Sequence, residues 1–237
     1  MITLSELSQL FVADGWLGAL ANGALTSLQI SAGAFVLGLC IGFSVAMIKL
    51  KGPRWLVKLA NVYTTLYRAI PELLLILLLY YAGTDLLNMA MAAMGHSSVT
   101  VNGFIAAVLV LGIVQGAYSA EIIRGAVQAI PYGQIEAARA YGIERWLLVR
   151  RILLPGMLPY AMAGLSNLWL VLVKDSALIS IVGYSELLSV GKQAAGSTKH
   201  YLVFYLAVAA FYFVITLVSG SLLRVLERRI NRWLPQH

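Results

Sequence analysis

Charge is scarce in this chain and cysteine nearly absent. Only 11% of the 237 residues are Asp, Glu, Lys or Arg, against about a quarter in a soluble domain, which excludes an ordinary soluble protein. The single Cys40 lies in an apolar run, so there is no disulfide framework and the redox compartment is not readable. Of three histidines, His96 and His200 fall in expected outer regions and His237 is terminal. None belongs to a H-E-x-x-H or similar constellation, so no metal site is expected and a membrane-embedded enzyme is poorly supported. The phosphate-cradling G-x-x-x-x-G-K-[ST] pattern is missing too. Gly191-Lys192-Gln193 lacks both the upstream glycine and the hydroxyl residue. Residues 1–22 contain Glu6 and Asp14 but no Lys or Arg, so no cleavable signal is expected.

What the chain has is apolar length: 60% of its residues are hydrophobic. A membrane helix needs about 20 mainly apolar residues. Five spans are expected, near 24–48, 60–84, 100–124, 156–182 and 200–224, making one all-α membrane domain over 1–237. The fourth run is long enough to be a helix followed by a re-entrant piece. Residues 1–20, with Leu4, Leu7, Leu10, Phe11 and Leu17 among polar neighbours, read as an amphipathic segment on the outer face. The loop 85–101, with Met89, Met91, Met94 and Gly95, is a second such candidate.

Orientation follows from where the positive charge sits. Lys49, Lys51, Arg54 and Lys58 lie between spans one and two; Arg124, Arg139, Arg145, Arg150 and Arg151 between three and four; Arg224, Arg228, Arg229 and Arg232 after the last. Those thirteen of 17 basic residues share one side, which the positive-inside rule makes the cytoplasm. The N-terminus is then outside and the C-terminus inside. The net charge of +7 is thereby explained without nucleic acid.

Residues 131–155 sit in a cytoplasmic loop and mix charge with apolar side chains. Pro131 suits a first helical turn. Ile135, Ala138 and Tyr141 form a narrow apolar face, with Glu136 and Arg139 on the other side. Gly142 permits a sharp break, after which 144–151 starts a second short helix whose Trp146, Leu147 and Val149 can pack on the base. From these residues alone the segment is either a docking knob or a lipid-surface connector.

The order Glu136-Ala137-Ala138, three residues, Gly142, nine residues, Ile152, one residue, Leu154-Pro155 resembles the EAA motif of permease subunits of binding-protein-dependent ABC importers. The stretches YRAIPELLLILLLYY (67–81), GAYSAEIIRGAVQAIPYGQIEAA (116–138) and LVKDSALISIVGYSELL (172–188) extend the resemblance to polar amino acid permeases of the histidine/lysine/arginine/ornithine or opine type. It implies a type I, MetI-like bundle of five transmembrane helices with a cytoplasmic coupling helix. By that resemblance Glu136, Ala137, Ala138 and Gly142 form the face that docks on an ATPase, while Ile152 and Pro155 set how the chain re-enters the bundle. It also implies cytoplasmic ATP-binding subunits that use ATP and Mg, a periplasmic solute-binding protein and a second permease subunit, a heterodimer being favoured, in a bacterial inner membrane. No cofactor is expected on this chain. The glycines of 31–46 allow the close helix approach that such pairing uses.

Ionisable residues at membrane depth are costly and usually face partners or a pathway. Counted from residue 60, Arg68 and Glu72 lie roughly 12–18 Å along the second span, with Pro71 between them to open the helix. They form either an i, i+4 packing pair or, with Glu72 accepting a cationic substrate group, part of the pathway; the resemblance to basic amino acid permeases favours the latter. Tyr67 and Tyr63 wall the same region or pack in the core. Asn167 either meets substrate or joins helices. Glu121 and Arg124, at i, i+3, are expected to be a structural or gating pair. Lys174 and Asp175 belong to the general family pattern. An ion-coupled secondary amino acid transporter, using Glu72, Glu121 and Asp175 as ion sites, is the alternative.

Overall fold

The computed structural model describes residues 9–13, 15–97 and 102–231, and every regular element among them is helical. Leu4, Leu7 and Arg232 lie outside those residues. Five stretches are long and apolar enough to cross a membrane: Trp16–Lys51, Glu72–Ala93, Gly103–Gln128, Arg145–Val182 and Tyr201–Ile230.

Helix α1 (Trp16–Lys51) has 36 residues, about 54 Å at 1.5 Å per residue, against a hydrocarbon core of about 30 Å. Its excess length takes up residues 16–20, so these belong to the first long helix and not to a separate amphipathic segment. Lys49 and Lys51 occupy its last turn, where positive charge suits the helix dipole. Helix α4 (Gly103–Gln128) is the central element and lies along α1. Their seam is made of glycines at four-residue spacing, Gly38 and Gly42 on α1 with Gly112 and Gly116 on α4. A Cβ on Gly42 would come within 2.5 Å of the Ser119 side chain and 2.9 Å of the Ala120 backbone nitrogen. The three 31–46 glycines expected to admit a partner subunit, Gly33, Gly38 and Gly42, thus all lie against α4 within the chain.

The second span departs most from expectation. Residues 60–84 are not one helix: α2 (Arg54–Ala69) stops, Ile70 is extended with φ −94° and ψ 140°, and α3 (Glu72–Ala93) begins after Pro71. Proline has no N–H to continue the ladder and disfavours helical backbone at the residue before it, which places the break. Helix α3 then runs through Met89 and Met91, so that part of 85–101 extends a span instead of forming an interfacial helix.

Helix α5 (Tyr132–Ala140) is followed by one helical turn, α6 (Arg145–Leu148), a wide π turn (Val149–Leu153) and α7 (Leu154–Asp175). The expected second short helix is thus the winding start of the fourth span. A 3-10 stretch (Ser176–Val182) ends at Gly183, φ 86°, before α8 (Leu187–Thr198) and α9 (Tyr201–Asn231). At that end the fully buried Glu186 caps α8, accepting from the backbone N–H groups of Leu188 (2.9 Å) and Ser189 (2.8 Å). It also accepts from the hydroxyls of Ser27 (3.1 Å) and Tyr212 (3.0 Å), joining α1, α8 and α9.

Apolar packing falls in three layers along the bundle. Ala46, Ile123, Ala126, Leu148 and Leu153 fill the end that carries α5. Ile30, Ile76, Leu111 and Leu172 fill the middle, and Leu20, Leu187, Ala195 and Phe204 the opposite end.

Candidate functional site

Pro131, without an N–H to leave unsatisfied, opens α5, and Gly142 closes it in the left-handed conformation at φ 70°. The Gly142 N–H donates to the Arg139 carbonyl at 2.9 Å and the Ile143 N–H to that of Ala138 at 3.1 Å. This is a Schellman closure, and it explains why glycine stands at 142. Glu136, Ala137 and Gly142 are exposed, as a docking face requires. Ala138 is not: it is 4% exposed and packs with Ile130, Leu148 and Leu153. It seats the helix on the bundle, one turn from the half-buried Ile135. Tyr141, expected on that apolar face, is 88% exposed, because the chain reverses immediately after it. Trp146 is exposed as well, and Leu148 does the anchoring. Ile152 and Pro155 line a cavity of about 580 Å³ along one flank of α5, with Ala137, Tyr141 and Arg151 also in its wall.

A second constellation forms at the break in the second span. Glu72 stands in the first turn of α3, Tyr118 on α4 and Asp175 at the end of α7. Glu72 interacts with both Tyr118 and Asp175, while Arg68 approaches Tyr118. Two carboxylates and a phenol from three helices therefore converge beside interrupted backbone. The ion pairs among the described residues are Lys49–Glu121 and Arg124–Glu121, so of the two readings the Arg68–Glu72 packing pair does not form. An i, i+4 pair needs continuous helix, and Ile70–Pro71 interrupts it. Arg68 and Lys174 are exposed, and Asn167 is exposed on α7 about 12 Å along the helix from Asp175. Tyr67 packs against Tyr63 with ring centroids 4.9 Å apart and planes tilted by 56°, and the Tyr63 hydroxyl donates to the Ile113 carbonyl, holding α2 against α4.

The expected Glu121–Arg124 pair is present, with Arg124 donating from Nε at 3.0 Å and Nη2 at 2.9 Å. Glu121 has a second partner, the almost fully buried Lys49 of α1, which also donates to Thr64 on α2. In the sequence Lys49 is indistinguishable by charge from the loop cations that follow it, and Tyr118, a lone tyrosine in an apolar run, carries no signal. The three-residue spacing of Lys49 behind Ala46, which lies in the α1 core face, is the available clue for Lys49.

Residues 38–232 match the family described as binding-protein-dependent transport system inner membrane component. The chain belongs to that family. The permease is 38% identical to the octopine transport system permease protein of Agrobacterium tumefaciens, over 98% of this chain and 99% of the relative. It is 37% identical to the histidine/lysine/arginine/ornithine permease protein HisQ of Escherichia coli, over 92% and 95%. A solved amino acid ABC transporter matches with a TM-score of 0.76 and 28% identity, covering 96% of the permease and all of that chain. A chain of the MetNI methionine transporter shares the fold, with a TM-score of 0.72, 22% identity and coverage of 90% and 96%. The permease is thus a multi-pass inner-membrane transport component that works with a solute-binding protein and a separate ATPase, and the ion-coupled carrier is set aside.

Proposed function

We propose that the permease imports cationic amino acids or opine-like derivatives. The observation that carries this is the Glu72–Asp175 pair beside Tyr118 at the Ile70–Pro71 break. Two neighbouring carboxylates repel each other, and a cationic group between them relieves that repulsion. Interrupted helices at depth are also where transporters commonly hold solutes. The octopine and histidine/lysine/arginine/ornithine names of its relatives agree with cationic cargo.

The distribution of basic residues supports a cytoplasmic α5 and C-terminus with the N-terminus outside. Partner subunits bind ATP and Mg there and press on the exposed ridge of α5. The second permease is a different chain. Helix α3, which buries only Leu75 and Ile76, leaves ample surface for it.

ATP hydrolysis by the transporter reconstituted with its ATPase, second permease and binding protein tests the cargo, using arginine, histidine, an arginine-derived opine and glutamine. Stimulation by the cationic solutes, weakened in E72Q, is expected. Stimulation by glutamine alone would discard the cargo while keeping the importer.

A further inference from the structure

The flank of α5 opposite the Ile152–Pro155 cavity holds a second cavity, of about 300 Å³. Its floor is apolar, formed by Leu50, Val127 and Leu153 among others. Its polar lining is different in kind. Lys51 comes from the last turn of α1, Arg139 from the last turn of α5 and Gln128 from the end of α4. Gln128 accepts from Arg124 through its amide oxygen at 3.0 Å, which leaves the amide nitrogen as a donor. No carboxylate lines the cavity, and neither Lys51 nor Arg139 forms an ion pair among the described residues.

We propose that this cavity binds the headgroup of an anionic phospholipid from the leaflet on the α5 side. Lys51 and Arg139 hold the phosphate, and the glycerol and first acyl carbons cover the apolar floor. Lys51 stands three residues beyond the charge-free apolar run 24–48 of α1, which puts the cavity where headgroups lie. Basic pockets between helices on a cytoplasmic face suit such lipids. A free phosphate would satisfy the two cations but leave the floor wet. An acidic side chain of the ATPase is less favoured because the outward ridge of α5 carries Gly133, Glu136 and Ala140, whereas Arg139 is turned to the flank. A lipid here ties the end of α5 to the end of α1, so leaflet composition sets how firmly the coupling helix is held. The inference rests on the cytoplasmic placement of α5.

The test uses the assembled transporter in nanodiscs of phosphatidylglycerol and phosphatidylcholine, with retained lipid read by native mass spectrometry. Each basic group near an anionic surface contributes about five-fold in affinity, so K51Q/R139Q should lose retained phosphatidylglycerol by about 25-fold. K51R/R139K should retain it. Arg139 is exposed, so R139Q alone, with about a five-fold loss, serves if the double variant does not accumulate. Equal retention by wild type and K51Q/R139Q would overturn the proposal. So would displacement of the lipid by millimolar inorganic phosphate, or loss of the ATPase from the variant with lipid retention unchanged. A C-terminal tag found accessible from outside would remove the orientation reading by itself, whatever the lipid result.

Discussion

Replacing Glu121 by glutamine is expected to destabilise the permease more than replacing Lys49 by methionine, although both break the same ion pair. The Lys49 side chain is 6% exposed and its partners are Glu121 and Thr64. E121Q leaves a buried ammonium without an anion, for which breaking buried pairs gives about 3 kcal/mol or more. K49M leaves Glu121 with both Arg124 hydrogen bonds, so the carboxylate stays compensated and the cost falls to about 1 kcal/mol. In K49M/E121Q the buried charge is gone and only the partly exposed Arg124 is unpaired, so the double variant should be more stable than E121Q. At about 2–4 °C per kcal/mol for a chain of this size, E121Q should melt roughly 6–12 °C below wild type and K49M roughly 2–4 °C below. Thermal unfolding of the purified chain in detergent, followed by loss of the monodisperse peak in size-exclusion chromatography, reads these shifts. Strict additivity of the two single changes in the double variant would refute the reasoning, because contacting groups should couple by at least about 0.5 kcal/mol.

Three further outcomes are expected. G42L should prevent folding or lower the melting temperature by about 5 °C or more, since its Cβ meets the Ala120 backbone, whereas G125A, with open space around it, should shift it little. G142D, at an exposed left-handed position with nothing around it, should insert in the membrane but fail to couple with the ATPase; normal transport in vesicles would remove the docking role of this turn. Burial raises the pKa of Glu186 in the folded protein, so the folded state binds its proton more readily than the unfolded chain. Its contribution to stability is present at acid pH and is lost as pH rises through the raised value. Wild type should therefore lose stability as pH rises above the ordinary carboxyl range and E186Q should not; parallel pH profiles for the two would disprove it.

The membrane class, the five apolar runs and the coupling segment were legible because each depends on local pattern: run length, charge placement and a motif of fixed spacing. The break in the second span was half legible. Pro71 announced it, but the apolar run LLLILLL beyond it invited one continuous helix. The inward turn of Ala138 was legible in the apolar face it shares with Ile135, whereas the motif resemblance set it on the docking face; its seating on Leu148 and Leu153 decides for the former. The Glu72, Tyr118 and Asp175 cluster was beyond sequence reading, since its members lie 46 and 57 residues apart along the chain and meet only through the packing of α3, α4 and α7. Lys49 shows the limit of the positive-inside argument, which locates a cation near a membrane face without saying whether it points into water or into the bundle.

The π turn at Val149–Leu153 has a bearing on how the chain tolerates changes in length. Leu148 and Leu153 are five residues apart and both buried, at 3% and 4% exposure, which an ordinary α-helix would place some 140° from each other. The wider turn absorbs one surplus residue and brings both onto the core side. Losing one residue from 149–153 would let the turn rewind as α-helix, with the helices on either side still aimed as they are. The same loss within α7 would swing every side chain beyond it by about 100° and carry Asp175 away from Glu72. Length in this protein is therefore negotiable at the turn where the chain re-enters the membrane and fixed in the helix that follows.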